Sequence, residues 1–566
     1  MPIGPIGDGP VGADVCVVGS GPVGQTVARR LAARGMDVLV LEAGGPVASG
    51  AAQRLTSAVT PAIGDPYPNP IATHGVQVGG SAGRPEIRLD PSPMQPGTGI
   101  RLRAFDAVDL DPRPAVGLPG WPIDHATFRT AVDEAGRLFG IERISDSPAV
   151  SVLDGVGLRS AGFHLADRRC FSESPRNGWS AVRVLHGAPV ARLESGPDRR
   201  IHRAWVRTGD GREVAVSAEV FVVAGAALGA ARLLLSSASA DSEGVANSSG
   251  LVGRNLMDHP IVTAGWLAPR RDLDPSALAA FAPRTVGGHF VWPALISDPE
   301  MVRNDEVAQS WATLVPRRSP ARVAWLHCAL TGPESERSRS PSAVRHMLDE
   351  LRAGRRPPHL WRDLVSVAGG LDDLFGMWVR ARAGYRPAWS LEEPFAVEAG
   401  LRPDTPCLQI LQVPEQLPDP ENRVVLTDQV DPVGRMVPRI WWRWSRDDRR
   451  RERAFGRLVA GALEDAGLGR VIDPMTVRKR NIEKWSAHHL CGTARMSDGA
   501  AEGVVDRSCR THDHPNLYIT GAAVFPTCGY ANPTINAMAT AVLAADAISS
   551  ADPVTGVRPR PPSDDA

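Results

Sequence analysis

Residues 14–42 constrain the fold more than any other stretch of the chain. Four apolar residues at 15–18 form a short run typical of a strand buried on both faces of a parallel sheet. A G-x-G-x-x-G turn and a helical segment follow, and a second apolar run ends at Glu42. This succession of strand, glycine turn, helix and strand predicts the βαβ unit of a dinucleotide-binding domain.

The three glycines of that turn have different tasks. Gly19 permits the tight bend, Gly21 lets the backbone approach a pyrophosphate, and Gly24 lets the helix pack close to the strand. The helix is predicted over about 23–33, with its N–H groups pointing at the phosphates. Glu42 lies where an acidic side chain accepts hydrogen bonds from ribose hydroxyls. The motif alone leaves NAD and FAD open, and a purely structural turn is the alternative.

Length and composition limit the remaining possibilities. A chain of 566 residues is too long for one simple core and predicts two or three domains. Lys+Arg and Asp+Glu both number 63, so nothing in the charge favours nucleic acid as a partner. Seven cysteines without C-x-x-C pairs favour a reduced, cytoplasmic protein with no metal site. We find no signal peptide and no membrane-spanning run of about 20 apolar residues.

A second glycine-rich turn occupies residues 76–81. It contains Gly79, Gly80 and Ser81. Taken alone, the segment is either a plain loop or a place where the backbone approaches a cofactor.

A third segment is predicted to return to the nucleotide domain. A hairpin over 204–216 precedes a buried strand that starts near residue 219. This strand runs through Ala224 and Gly225 into a helix predicted over 229–236.

Residues 262–442 differ in character and are predicted to form a substrate domain on a sheet, with a helical insertion at about 341–382. Acidic and amide side chains cluster in its later part. A polycationic sugar would need such carboxylates, and a solvated loop is the alternative reading. These side chains are Glu392, Glu393, Glu398, Gln412 and Glu415.

Two motifs near the C-terminus identify a family. HLCGTARM at 489–496 and VFPTCGYANPT at 524–534 resemble the glucose-methanol-choline (GMC) oxidoreductases. The resemblance covers almost the whole chain and is closest to the bacterial sugar-oxidising branch. That branch includes pyranose oxidase-like enzymes, and 6'-dehydrogenase-like enzymes of aminoglycoside antibiotic pathways are also similar. The other matching segments are GSGPVG at 19–24, VGGS at 78–81, GWPI at 120–123, VVAGA at 222–226 and GLVGRNLMDHP at 250–260.

The resemblance implies an α/β fold in which an FAD-binding Rossmann-type domain is interleaved with a sheet-based α+β substrate domain. We expect residues 1–261 to form the main part of the FAD domain, with loop and substrate-domain segments at 82–180. Residues 262–475 would form the substrate domain, and 476–551 would return to the FAD domain. Residues 552–566 are expected to be a disordered tail.

The resemblance places the catalytic base at His489, three positions before the Gly-Thr pair, and the second active-site residue at Asn532. The neighbouring His488 would point to the opposite side of an extended backbone, so only one of the two can face the flavin. Asn532 could also cap the helix that follows it. His259 is expected to be structural.

The cofactor implied by the resemblance is FAD. Covalent members of the family carry a histidine shortly after the Gly-Gly of the second turn, and here the sequence SAGR follows instead, so we expect non-covalent binding. Val190 is expected to contact the adenine through its backbone. The full set of expected cofactor contacts is Gly19, Gly21, Gly24, Glu42, Gly79, Gly80, Ser81, Val190, Ala224, Gly225, Gly521, Ala522, Pro533 and Thr534.

The resulting hypothesis is oxidation of a CH–OH group of a sugar, glycoside or aminoglycoside. Flavin N5 would accept the hydride and His489 the proton. O2 or another acceptor would then reoxidise the flavin. A hydroxynitrile lyase-like member with non-redox FAD is the alternative from another class. A catalytically inactive FAD-binding protein is a third reading, which the intact His489 and Asn532 disfavour.

Overall fold

The structure is a computed structural model. It describes residues 3–7, 9–47, 49–65, 67, 74–83, 100–142, 144, 153, 157–166, 171, 182–237, 244–270, 272–273, 277–278, 280–282, 284–286, 289–316, 360–361, 364, 408–472, 485–486 and 489–550. Several sequence-based predictions lie outside these residues. They concern most of the insertion at 341–382, the tail at 552–566, His488, Glu392, Glu393 and Glu398.

The strands and helices are labelled in chain order. The strands are β1 (Ile3–Pro5), β2 (Val11–Val18), β3 (Val38–Glu42), β4 (Val59–Gly64), β5 (Ile100–Leu102), β6 (Leu158–Ala166), β7 (Val182–His186), β8 (Val190–Ser195), β9 (Ile201–Arg207), β10 (Glu213–Val223), β11 (Pro260–Pro269), β12 (Arg284–Val286), β13 (His289–Ser297), β14 (Ser310–Pro316), β15 (Leu408–Pro414), β16 (Arg423–Val430), β17 (Met436–Trp442), β18 (Gly469–Ile472), β19 (Trp485–Ser486) and β20 (Leu517–Ile519). The helices are α1 (Pro22–Ala32), α2 (Gly50–Gln53), α3 (Ala107–Leu110), α4 (His125–Arg137), α5 (Ala226–Ser236), α6 (Pro299–Arg303), α7 (Arg446–Asp465) and α8 (Thr534–Ser549).

The first sheet contains the predicted βαβ unit. Its strand order is β1-β7-β3-β2-β10-β9-β8, and β20 also pairs with β10. The strands β7, β3, β2, β10 and β20 run parallel, as expected where crossover helices cover the faces. All five residues of β3 are buried, which explains its continuous apolar sequence. Helix α1 makes the crossover between β2 and β3, and α8 is mostly apolar because most of its residues are buried in the core.

The second sheet is antiparallel. Its order is β18-β11-β15-β14-β13-β6-β5, with β12 on β13 and β19 on β11. Helix α7 packs on one face through Phe455, Val459 and Leu463. The other face buries Phe163, Trp311 and also Tyr530, which comes from the C-terminal motif. This sheet therefore lies directly against the loop that carries Asn532.

A small third sheet links distant parts of the chain. Its order is β16-β17-β4, and β4 pairs parallel with β17. Buried parallel strands and a separate antiparallel sheet, both with packed helices, confirm the predicted α/β class. None of the helices in the described residues is long and apolar enough to cross a bilayer.

Candidate active site and cofactor cradle

Two glycines of the first turn are required by the fold itself. Gly19 has φ +108°, and a Cβ on it would lie 2.8 Å from the carbonyl oxygen of Ala224. A Cβ on Gly24 would lie only 1.9 Å from the carbonyl oxygen of Gly19. The end of β2, the start of α1 and the end of β10 are thus in close backbone contact, as the sequence motif predicts.

Gly21 is different, because the protein around it does not require a glycine. It has φ −64°, which any residue adopts, and an added Cβ would meet no protein atom within 4 Å. In the described part of the chain, no side chain caps the N-terminus of α1, which begins at this residue. Open space beside uncapped helix N–H groups is what a pyrophosphate needs, so these residues fit a dinucleotide.

The second glycine turn closes on the first. Gly80 has φ +64°, and a Cβ on it would lie 3.0 Å from the Cα atom of Gly21. The N–H of Gly79 donates to Oγ of Ser20 at 3.0 Å. The segment at 79–80 is therefore not a plain surface loop, since it forms one wall of the space next to the first turn.

Glu42 stabilises these two turns through hydrogen bonds. Its Oε2 accepts from both the N–H and the Oγ–H of Ser20, at 3.1 and 2.6 Å, and its Oε1 accepts from the N–H of Gly44 at 3.0 Å. Burial raises the pKa of this carboxyl. Any ribose contact would share the carboxylate with Ser20. Sequence analysis did not select Ser20, although its place between the first two glycines of the motif was a usable signal.

Residues near the C-terminus reach the same space. Gly521 has φ +91°, and a Cβ on it would contact the side chain of Val23 at 3.5 Å. Its N–H donates to Oγ1 of Thr540 in α8 at 2.8 Å. The carbonyl of Ala522 accepts from the N–H of Gly492 at 2.9 Å, which joins the 521–524 turn to the segment after His489.

The Ala-Gly pair after β10 lies on the inner side of the first turn. The N–H of Ala224 donates to the carbonyl of Val18 at 2.9 Å, and Gly225 is the N-cap of α5. No side chain within the described residues makes a capping hydrogen bond to this helix end. Both residues therefore lie beside Gly19, as expected.

Two further expected cofactor residues, Val190 and Ser81, also have polar contacts to the protein. The carbonyl of Val190, at the start of β8, accepts from Nη1 of Arg435 at 3.4 Å. The hydroxyl of Ser81 accepts from the N–H of Gly75 at 2.7 Å. Their roles toward the cofactor stay predictions.

Asp258 organises the candidate catalytic centre. Its Oδ1 accepts the backbone N–H groups of both His259 and His489, each at 2.7 Å. Its Oδ2 accepts the hydroxyl of Tyr67, also at 2.7 Å. The carboxylate is fully buried and so fixes the backbones of two distant segments relative to each other.

His489 lies against a second histidine. Nδ1 of His489 is 2.9 Å from Nδ1 of His259. On its other side, Nε2 of His259 is 2.9 Å from the carbonyl oxygen of Gly529 and 3.2 Å from that of Cys528. His259 is fully buried, and burial lowers its pKa. The expectation that His259 is only structural missed this contact, although the DHP segment containing it had been recognised.

Asn532 follows directly on the loop that holds His259. It is half-buried, and its side chain has no hydrogen-bond partner among the described residues. Helix α8 begins at Thr534 with Pro533 as its N-cap, and no side chain caps it within the described chain. The capping alternative for Asn532 is therefore wrong, and its amide remains available to a substrate.

The phenol of Tyr530 anchors the same loop through hydrogen bonds. The hydroxyl of Tyr530 donates to Asp106 at 2.6 Å and accepts from Nε of Arg103 at 2.5 Å. Desolvation and the neighbouring carboxylates together raise the pKa of Tyr530. Tyr530 was not selected from the sequence, although it lies inside the matched motif.

The contacts of Glu415 contradict both interpretations of the acidic stretch for this residue, the solvated loop and the site for a polycationic sugar. It is buried and forms a bidentate pair with Arg113, at 2.6 and 2.8 Å. It also accepts the N–H of Gly529 at 3.2 Å. Gln412 is buried as well and donates to the carbonyl of Glu452. Glu415 is thus neither solvated nor available to a cationic sugar, because it supports the loop next to His259.

Family models match two segments of the chain that contribute residues to this site. Residues 418–541 match the C-terminal model described as GMC oxidoreductase, and residues 14–90 match the model described as FAD dependent oxidoreductase. The chain is therefore similar to GMC oxidoreductases over residues 418–541 and to FAD-dependent oxidoreductases over residues 14–90. These matches confirm the resemblance derived from the motifs and support FAD as the cofactor.

Individual proteins are more distantly similar. The chain is 25% identical over 369 residues to the large subunit of fructose dehydrogenase from Gluconobacter japonicus, covering 65% of this chain and 54% of that protein. It is 29% identical over 151 residues to paromamine 6'-oxidase from Streptomyces fradiae, covering 26% and 27%. The matches thus span about half and about a quarter of these relatives. A crystal structure of pyridoxine 4-oxidase from Mesorbium loti has a TM-score of 0.49 at 17% identity, covering 94% of this chain and 99% of that one.

Proposed function

We propose that this protein is a GMC oxidoreductase that oxidises an alcohol carbon of a sugar-like substrate to a carbonyl. The observation that carries the proposal is the setting of His489, whose imidazole contacts the buried His259 and whose backbone is held by Asp258. The pairing of Gly492 with Ala522 connects this centre to the cofactor cradle. A base held rigidly beside a flavin site is the arrangement that alcohol oxidation requires.

The residues divide the chemistry between them. When bound, FAD supplies the hydride acceptor that the reaction needs. His489 takes the hydroxyl proton, a role that typically contributes about 10²–10⁴-fold to the rate. Asn532 hydrogen-bonds to the substrate oxygen and so orients the carbon that loses its hydrogen.

The substrate class is supported by the names of the two relatives. One is a fructose dehydrogenase and the other a paromamine 6'-oxidase, and both names denote action on a sugar or an amino sugar. We therefore propose a sugar, glycoside or aminoglycoside as the substrate. Glu415 is committed to Arg113, so recognition of a cationic sugar would depend on other residues. The final electron acceptor is proposed to be O2 or another acceptor.

We also propose that FAD is bound non-covalently. Ser81, Ala82 and Gly83 follow Gly80, where covalent members of the family carry a histidine. Precipitation of the purified yellow protein with acid should leave all of the flavin in the supernatant, as measured by its fluorescence. Flavin that stays with the protein pellet after washing would contradict this proposal.

The decisive experiment is anaerobic reduction of the purified, FAD-loaded protein. Fructose, paromamine, a neutral glycoside and a simple alcohol would be mixed with it separately while the visible flavin band is recorded. We expect at least one of the sugars to bleach the band, and His489→Asn to slow bleaching about 10²-fold or more. His202→Asn is the matched control, because His202 is exposed on β9 and should leave the rate unchanged.

The same experiment separates the alternatives. Full flavin content with no bleaching by any alcohol would contradict the redox proposal and favour a non-redox, lyase-like role. Equal bleaching rates in the wild type and His489→Asn would contradict the assignment of His489 as the base.

A further inference from the structure

We infer that His259 is a positioning residue that fixes the tautomer of His489, so that Nε2 of His489 is the atom that accepts the proton. The chemical use of that atom rests on the proposed function, whereas the tautomer itself does not.

The argument starts at the far side of His259. Its Nε2 lies 2.9 and 3.2 Å from the carbonyl oxygens of Gly529 and Cys528. A carbonyl oxygen can only accept a hydrogen bond. Nε2 of His259 must therefore carry a proton and donate it to these carbonyls.

The next step is the charge of His259. The side chain is fully buried, and the cost of burying a cation lowers its pKa even though the carboxylates of Asp258 and Glu415 act in the opposite direction. His259 is therefore neutral. A neutral imidazole has one N–H, and here that N–H is at Nε2. Nδ1 of His259 must then present a lone pair.

The 2.9 Å contact between the two Nδ1 atoms then assigns His489. Since Nδ1 of His259 can only accept, Nδ1 of His489 must donate. The other tautomer of His489 would place two lone pairs against each other at this distance. Neutral His489 consequently has its N–H at Nδ1 and its lone pair at Nε2.

This arrangement holds through the reaction. When the substrate O–H bond breaks and an N–H bond forms at Nε2 of His489, its Nδ1–H still donates to His259. His259 cannot pass a proton further, because carbonyls 528 and 529 cannot take one. It therefore orients the base and is not a relay.

The fold explains how residues so far apart in sequence meet. His259 immediately precedes β11, which pairs with β19 through Pro260 and Ser486. Met257 and Cys491 pair on the other side of the two histidines, with N–H···O distances of 3.1 and 3.0 Å. The two histidines thus lie on neighbouring antiparallel segments, and Asp258 locks both backbones.

The test is long-range ¹H–¹⁵N NMR of the FAD-loaded protein with ¹⁵N-labelled imidazoles, without any substrate. The signals of His259 and His489 would be assigned from His259→Asn and His489→Asn. We expect His489 to be protonated at Nδ1 and bare at Nε2, and His259 to show the reverse. A proton on Nε2 of neutral His489, or a cationic His259 at neutral pH, would overturn the inference.

Two variants distinguish positioning from simple packing. His259→Asn keeps an oxygen acceptor near the position of Nδ1 and should preserve the Nδ1–H form of His489. His259→Leu fills the space without an acceptor, and His489 should shift toward the Nε2–H form. Once a substrate is known, we expect His259→Leu to slow flavin reduction about tenfold with KM unchanged, and His259→Asn to restore most of the rate.

The NMR measurement also allows the proposed function and the positioning role of His259 to be tested independently. A protein that fails to bleach with every alcohol would contradict the proposed function and still report the tautomer of His489. An active protein in which His259→Leu leaves both the tautomer and the rate unchanged would overturn the positioning role alone.

Discussion

Buried polar residues around His489 form one continuous hydrogen-bonded set. Arg113 pairs with Glu415, Glu415 holds the N–H of Gly529, and the carbonyl of Gly529 accepts from His259, which contacts His489. Every member is buried except His489, which is half-buried. Such a connected network rigidifies a site, because breaking any one of its contacts would leave a buried polar group with a desolvation cost.

Asn532 offers the clearest test at this scale. Because its side chain has no partner among the described residues and does not cap α8, Asn532→Ala should leave the melting temperature and FAD content unchanged. Flavin reduction by the substrate should slow by about tenfold or more, the effect of losing one oriented hydrogen bond in the transition state. Stopped-flow absorbance measures this rate. The control is Asn304→Ala on the exposed surface, and a rate equal to wild type in Asn532→Ala would rule out the role.

Among the elements, α1 and α5 were predicted within a few residues, at about 23–33 and 229–236, and β10 was not. The separate strands expected at 213–216 and 219–223 are one strand. Its first half pairs antiparallel with β9 and its second half pairs parallel with β20 along the same edge. The pattern of apolar residues indicates which residues of a strand are buried. It does not indicate that one edge of the strand pairs with two different strands along its length.

The first glycine turn supports a prediction that separates folding from cofactor binding. Gly21→Ala introduces a Cβ into space that is open in the protein, at an ordinary φ of −64°, so the fold should be retained. The same Cβ would meet the FAD pyrophosphate, so FAD affinity should fall by about tenfold or more. Affinity is measured by titrating FAD into the apoprotein and following flavin fluorescence.

Substitutions at two further glycines serve as controls for this measurement. Gly229→Ala on α5 also meets no atom within 4 Å and should change neither folding nor FAD binding. Gly24→Ala forces a Cβ to 1.9 Å from a carbonyl oxygen and should impair folding itself. Unchanged FAD affinity in Gly21→Ala would contradict the proposed pyrophosphate position.

For the molecule as a whole, one buried carboxyl, that of Asp109, has a strongly raised pKa. Asp109 lies on α3, and its Oδ2 accepts the N–H of Asp106 at 2.8 Å. Its Oδ1 accepts from Nε2 of Gln309 at 3.1 Å, and Gln309 immediately precedes β14. Burial, with the neighbouring carboxylates of Asp106 and Glu415, raises its pKa to about 8. We therefore expect this carboxyl to hold a proton at neutral pH in the folded protein.

This predicts a pH dependence of stability with a definite sign. Unfolded aspartate titrates near pH 4, so between about pH 4 and 8 only the folded protein keeps the proton, and stability falls as pH rises. Asp109→Asn removes the titration. Its melting temperature should exceed that of the wild type by a few degrees at pH 8 and approach it toward pH 4.5. Gln309 can present its Oε1, which has no partner within the described residues, to the new amide.

Melting curves across that pH range provide the check. Asp428→Asn, an exposed position on β16, should shift the melting temperature by the same small amount at every pH. A difference between Asp109→Asn and the wild type that does not vary with pH would show that the carboxyl is not protonated in the fold.

The opening βαβ unit, the approximate bounds of α1 and α5, and the resemblance to GMC oxidoreductases could be inferred from the amino-acid order. These features depend on local backbone requirements, such as the positive φ of Gly19 and the closeness of Gly24 to the turn, and local requirements leave a fixed spacing in the sequence. The partners of the buried polar groups could not be inferred. His259 meets His489 across 230 positions and Arg113 meets Glu415 across 302. Only the packing of the sheets brings these groups together. A local sequence pattern does not indicate which distant residue pairs with a buried charge, or which one determines the protonated nitrogen of a buried histidine.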